Sequence, residues 1–420
     1  MSLVLAVSMA VAVSAAGEGD APGVTFDEAL GFARQAPIVT SVERAAQVSQ
    51  EIGGKVSTMA SNPLVMVLPG VRILPLAAAG PEGAIGVSQS WSLSGLGQAR
   101  KDAVKAEHDT LTAEARATAL MQRMHTAKEW LDLWAAQKVS AVATQEADVA
   151  RDLTKLAEKA ANAQAATKAD TADARAYLAE AKLAVIDAEG DVFERGTELS
   201  RDIASKSADP VAAEGELPEP ALPDPATWSA SLREVDSLPS VQAKALAARA
   251  EKARSEEEGA ARGMHLLLGV EVRKEAPDAF LAMGTVGLTL PVFDRGERER
   301  SVSEARAARF EGEKKAEALD ARTELALAFH EVQHTGEIVA AVKGELLPAL
   351  LEAAEAREQL FRAGDGTMVD VLTARRRVLA AKSRLVLAQA ANAWAKVKVW
   401  MLLAELANAR NEGAAKKEAP

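Results

Sequence analysis

The sequence predicts a mainly α protein with a small β part: a duplicated unit of long α-helical hairpins with two β-strands per repeat. Three observations carry this. Residues 98–163 contain neither Pro nor Gly and, as a helix rising ~1.5 Å per residue, would run about 100 Å. Residues 297–362 are comparable, with Gly312, Gly336, Gly344 and Pro348 expected to bend them. Residues also recur at a nearly constant offset. Phe26, Leu30, Pro37 and Ala45 answer to Trp228, Leu232, Pro239 and Ala247; Val87, Gly97, Ala106, Trp130 and Leu133 to Val286, Gly296, Ala305, Phe329 and Val332; Thr167, Asp170 and Ala174 to Thr367, Asp370 and Ala374. Finally, four short runs alternate apolar with small or polar residues, the period of a strand.

Composition narrows the function classes. The chain has 420 residues, a net charge of -11 and only 4% aromatic residues, which favours long helices over compact enzymes or sandwiches. Nothing concentrates its 49 basic residues against 60 acidic ones, so no nucleic acid is expected as a partner. Cysteine is absent, which removes disulfides, thiol catalysis, thiolate metal sites and a lipid-modified cysteine.

In chain order, residues 1–16 are apolar or small, end in Val13-Ser14-Ala15-Ala16 and read as a signal peptide. Repeat 1 occupies residues 17–207, with a capped helix start at Thr25-Phe26-Asp27-Glu28, a β-hairpin at 64–93 and a helical hairpin whose tip lies near 164–170. A Pro-rich linker follows at 208–227 and cannot be helix. Repeat 2 covers 228–408, with a β-hairpin at 264–290 and a tip at 363–367; residues 409–420 read as a disordered tail. At that second tip Leu346, Leu347, Leu350, Ala353, Ala354 and Leu360 form one apolar stripe, Gly364-Asp365-Gly366 permits left-handed backbone, and Thr367 can cap the next helix. Leu325, Phe329, Val332, Val339, Val342 and Leu346 fit coiled-coil-like packing.

The strand runs are Val65 to Leu74, Ile85 to Leu93, Met264 to Val272 and Val286 to Leu290. They have the length and alternation of tilted membrane strands. Four strands cannot close a barrel, and an open edge in lipid is forbidden, so several chains must share one: eight strands in a dimer, twelve in a trimer.

Two motifs bear on chemistry. His330-Glu331-Val332-Gln333-His334 matches H-E-x-x-H, in which two imidazoles on one helix face hold Zn²⁺ and the glutamate activates water. A third ligand would be Glu352 or Glu355, if the helix broke between Gly344 and Pro348. Its repeat counterpart is ordinary helix, so the expectation is no enzyme, no cofactor and no metal site. The tip acids are the other motif. One aspartate per chain at the narrow end of a ring of copies makes a ring of carboxylates that favours cations. The alternative is that Asp170, Asp365 and Asp370 are helix-start and turn residues.

The pattern Phe361-Arg362-Ala363-Gly364, Thr367, Asp370-Val371-Leu372, Ala374-Arg375 resembles the hairpin tip of the TolC-like outer-membrane efflux proteins. Pro291-Val292-Phe293-Asp294-Arg295-Gly296 is similar to that family's strand-to-helix junction, and Leu346-Leu347-Pro348 to its mid-helix proline segment. The likeness spans residues 286–403. It implies a homotrimer whose strands form a shared transmembrane β-barrel in outer-membrane lipid and whose helices form a periplasmic tunnel. It also implies a passive exit duct for efflux or type I secretion, docked to a periplasmic adaptor and an inner-membrane pump. By resemblance Asp370 occupies the family's acidic position, with Asp170 its counterpart, and Asp365, Arg362, Thr373 and Arg375 complete the constriction candidates. Thr373 stands where relatives carry a second acid, and Gly366 where some carry a basic latch residue. Gly364, Gly366, Thr367, Ala165, Ala166 and Thr167 are the adaptor-docking candidates. The alternatives are a zinc peptidase using His330, Glu331 and His334, and a soluble periplasmic helical interaction protein.

Overall fold

The computed structural model describes residues 21–418 apart from 58, 60, 75–76, 204–208 and 276–278; the expected signal peptide at 1–16 lies outside them. The order is β1 (Gly23–Thr25), α1 (Phe26–Ala33), α2 (Pro37–Gly53), β2 (Leu64–Leu74), β3 (Ala77–Ser92), α3 (Leu96–Asn162) and α4 (Lys168–Asp202). After the linker strand β4 (Ala212–Glu214) come α5 (Trp228–Ser231), α6 (Pro239–Ala261), β5 (His265–Glu275), β6 (Ala279–Thr289), α7 (Glu297–Ala341), α8 (Leu347–Ala363) and α9 (Met368–Glu418). Contacts divide the chain into two compact units. Of the described residues, the first holds those up to Phe32, those within Thr126–Pro218 and Ile338–Ala391; the second holds those within Ala33–His125, Glu219–Glu337 and from Asn392 on.

The first unit contains the two helical tips and the linker up to Pro218. Its core gathers Ala147, Ala150, Leu153 and Ala157 of α3, Ala174, Tyr177 and Ala181 of α4, and Phe361, Met368, Val371 and Leu372 of the second hairpin. Alanines dominate because helices pack closely only where side chains are short. Thr25 and Glu28 make the expected capping box: the Glu28 carboxylate accepts from the Thr25 amide at 2.9 Å, and the Thr25 hydroxyl accepts from the Glu28 amide at 3.3 Å. The linker is less featureless than its prolines suggest, since β4 pairs in parallel with β1. It also crosses α4 so closely that a Cβ on Gly196 would lie 2.7 Å from the Val211 carbonyl oxygen.

Duplication shows in the packing as well as in the sequence. Phe26 meets Trp130 edge-on at 5.4 Å in the first unit, and their counterparts Trp228 and Phe329 stack at 4.5 Å in the second. Gly97, however, is not the counterpart of Gly296. The glycine with positive φ ahead of α3 is Gly95 (φ +75°), matching Gly296 (φ +77°) ahead of α7.

Two helix expectations need correction. Gly312 and Gly336 leave α7 unbroken, and the irregularity is a π-helical turn, Val342–Leu346, followed by Pro348 inside α8. Proline lacks an N–H and crowds the carbonyl four residues back, here Gly344; one extra residue in the turn relieves both problems without ending the helix. The expected disordered tail at 409–420 is helical to Glu418. That stretch has no proline before Pro420 and is rich in Ala, Lys and Glu, and ion pairs Arg410–Glu234 (2.8 Å) and Arg116–Glu412 (2.8 Å) hold its start.

In the second unit β2, β3, β5 and β6 form one antiparallel sheet in the order β2-β3-β5-β6. Pro69 is tolerated because β2 is an edge strand with one unpaired side. β6 is longer than its predicted core, beginning at Ala279. Among the described residues no helix is long and apolar enough to cross a membrane.

Candidate functional site: hairpin tips and strand sheet

The two tips use the same backbone solution. At the second, the Gly364 amide donates to the Phe361 carbonyl (3.1 Å) and the Asp365 amide to Leu360 (3.0 Å), with Gly364 at φ 84°. At the first, Gln164 donates to Ala161 (3.0 Å) and Ala165 to Ala160 (2.8 Å), with Gln164 at φ 60°. Both are Schellman closures, in which amides past the helix end satisfy its last carbonyls. The first tip thus turns without glycine, holding glutamine in the left-handed region. Gly366 is fixed by closeness instead, since a Cβ there would sit 3.1 Å from the Phe361 amide nitrogen.

Each tip then restarts on a Thr-x-x-Asp cap. The Asp170 carboxylate accepts from the Thr167 hydroxyl (2.6 Å) and amide (2.9 Å), and its other oxygen accepts from the Met368 amide (3.2 Å) at the start of α9. One side chain therefore caps its own helix and touches the first turn of the other hairpin's return helix. Hydrogen bonds from Thr167, foremost the hydroxyl, hold its carboxyl below the usual aspartate range. Asp370 accepts from the Thr367 hydroxyl (2.7 Å) and from Arg357 (3.3 Å) and stays half exposed. Both acids are helix-start residues, and Asp370 is the more open to solvent.

Arg362 and Arg375 converge on Glu358, a residue the sequence reading did not single out. Arg375 donates to one oxygen at 2.7 Å and Arg362 to the other at 2.6 Å. Burial pushes the Glu358 carboxyl up, but the two guanidinium groups outweigh it and the net displacement is downward. The first hairpin has the same bridge, Arg175 to Glu158 at 2.8 Å, more exposed. The shared positions 158/358 and 175/375 were the available signal. Tyr177 was also missed: its hydroxyl donates to buried Glu146 at 2.6 Å, and its ring lies 5.3 Å from the Arg376 guanidinium, which also pairs with Glu180 at 2.8 Å.

Of the remaining candidates, Thr373 donates to the Val369 carbonyl of its own helix at 2.7 Å. Thr167 and Thr367 are occupied as caps, and Ala166 packs against the tip core. Gly364, Asp365 and Ala165 are exposed at the turns.

The sheet in the second unit has two unlike faces. Its register aligns Val65, Val87 and Val270 across three strands, and Val67, Ile85 and Val272 beside them, with Leu268–Val286 and Leu266–Leu288 continuing the same face. All of these side chains but half-buried Leu266 are exposed, Val286 to 76%. On the opposite face the central strands carry Gly86, Ser88, Gly269 and the Glu271–Arg273 ion pair at 2.9 Å, with Thr285 beside them, while the edge strands add exposed Leu64, Met66, Leu68 and Leu281. In the central strands an apolar face left bare beside a small and polar one is what a lipid-facing strand needs. β2 and β6 each leave one edge unpaired within the chain.

His330 and His334 lie exposed on α7 with parallel rings. Among the described residues no group of three or more His, Asp or Glu gathers as a metal cage, and α7 continues through the π turn into α8 rather than breaking to bring Glu352 or Glu355 round.

Residues 224–403 match the outer membrane efflux protein family. No curated protein matches the chain. Among solved structures, the outer-membrane channel OprN superposes with TM-score 0.75 at 15% identity, over 90% of this chain and 89% of that one. The outer membrane protein VceC from Vibrio cholerae gives 0.72 at 14% identity, over 91% and 95%. CusC gives 0.71 at 14%, over 90% and 91%. At such identities the superpositions establish the fold. Its second repeat thus matches the outer membrane efflux protein family in sequence, and the chain shares the fold of these channel structures over nine-tenths of its length.

Proposed function

We propose that this protein is the outer-membrane exit duct of a tripartite efflux or type I secretion system, a passive conduit docked to a periplasmic adaptor and an inner-membrane pump. The observation that carries the reading is the four-stranded sheet with a bare apolar face and two open edges. In lipid those edges need partners, and three copies with four strands each give a closed barrel of twelve. Exposed Leu183, Ile186 and Phe193 on α4 support further contacts between copies along the helices. Membrane fractionation and light scattering in detergent test this. A carbonate-resistant outer-membrane protein with the mass of three chains is the expected result, and a monomer in detergent-free buffer overturns it.

At the tips, Asp370 forms the carboxylate ring of the conduit, with Asp170, Asp365, Thr373 and the Glu358-bound Arg362 and Arg375 around it. Its half-exposed side chain supports that role; both its oxygens have partners, Thr367 and Arg357, but Asp170 is the more enclosed, with one oxygen turned to the Met368 amide. In planar bilayers Asp370→Asn lowers cation-over-anion selectivity; an unchanged reversal potential would leave Asp370 a helix cap alone. Exposed Gly364 and Ala165 mark the adaptor-facing surface, where small side chains let another helix approach.

A further inference from the structure

The chain has five histidines, and the conduit uses none of them. His108 and His265 each set a ring nitrogen against a backbone carbonyl, Ala46 at 3.2 Å and Ala261 at 2.9 Å. His125 is engaged as well. His330 and His334 differ: both are exposed, one helical turn apart on the same side of α7, with ring planes 7° apart and centroids at 5.5 Å.

We propose that His330 and His334 form a binding site for a late first-row divalent cation, Cu²⁺ in preference to Ni²⁺ or Zn²⁺. Residues i and i+4 share a helix face, so small rotations about exposed side-chain bonds bring one nitrogen of each ring to about 2.0–2.1 Å from a common point. Imidazole suits these borderline cations, and copper stands highest in the affinity order for such ligands. The backbone beneath is already fixed. Asn392 of α9 donates to the Val332 carbonyl at 3.0 Å and the Thr335 hydroxyl at 2.9 Å, holding the turn between the two histidines. Binding therefore orders two side chains and no loop. Glu331 and Glu337 add negative charge along the same stretch. Water fills the remaining coordination positions.

The test titrates CuCl₂ into the full-length, tag-free protein in detergent, read by copper electron paramagnetic resonance and by the thermal midpoint. One Cu²⁺ per chain with a two-nitrogen signature is expected, with a raised midpoint. His330→Ala and His334→Ala each weaken binding at least tenfold, and the double variant removes both signature and midpoint shift. Both side chains are exposed, so the variants keep the fold. Unchanged affinity in the double variant, or binding without nitrogen hyperfine structure, overturns the proposal.

Discussion

The two hairpin tips are the same device built twice and finished differently. Both close on a Schellman turn, restart on Thr-x-x-Asp and carry a Glu–Arg bridge at positions 158/175 and 358/375. What differs is the burial around those bonds. Glu358 and Arg375 keep only 16% and 20% side-chain exposure and recruit Arg362, whereas Glu158 and Arg175 keep 42% and 65%. The first hairpin invests instead in Tyr177 and Glu146, and at Tyr177's counterpart the second carries Arg377. Duplication has preserved the backbone solution while the polar anchor migrated.

The largest expected effect tests that migration. Tyr177→Phe leaves the 3%-exposed Glu146 without its donor and costs about 2 kcal/mol by the usual penalty for an orphaned buried group. Glu146→Leu combined with Tyr177→Phe removes both polar partners and recovers most of it. Denaturant titration in detergent measures both. A double variant no better than the single one would mean that the pair does more than satisfy itself.

The second hairpin's anchor is smaller in effect and depends on pH. Glu358→Gln leaves two guanidinium groups on an uncharged partner and costs about 1 kcal/mol, while Glu158→Gln costs about 0 to 0.5 kcal/mol because that bridge is screened by water. The Glu358 carboxyl is displaced downward, so its contribution is complete above the ordinary glutamate value, near pH 4, and is lost as pH falls through the lower folded-state value. The difference between wild type and Glu358→Gln should therefore be full at pH 7 and vanish once the pH falls below the lowered folded-state value. A difference independent of pH would assign it to packing.

Much of this arrangement could be read from the chain alone, and its failures have physical causes. Offsets located the tips, and alternation located the strands, because both follow from backbone periods. The offset grows from 199 at Trp130/Phe329 to 200 at Thr167/Thr367, and between those points lies the π turn Val342–Leu346. One inserted residue was thus visible as arithmetic, but a bend and a π turn leave the same trace in sequence. Glu358 and Tyr177 were not legible as anchors, because charge pairing across helices depends on which faces meet. Asp170's reach to the Met368 amide likewise joins residues 198 apart, a contact no local spacing reports.

The last comparison concerns the turn itself. Gln164 holds φ 60° where its counterpart Gly364 holds 84°, and a side chain in the left-handed region costs roughly 1 kcal/mol that glycine avoids. Glycine also loses more freedom on folding, which offsets part of the gain. Gln164→Gly should therefore stabilise the first tip by about 0.5 kcal/mol, and Gly364→Ala should destabilise the second by about 1 kcal/mol, although a Cβ at Gly364 meets nothing within 4 Å. That empty space makes the pair of variants diagnostic, because a loss at Gly364 comes from backbone conformation and not from a clash. Equal midpoints for both variants and wild type would mean that the Schellman amides, not the left-handed residue, decide how each hairpin closes.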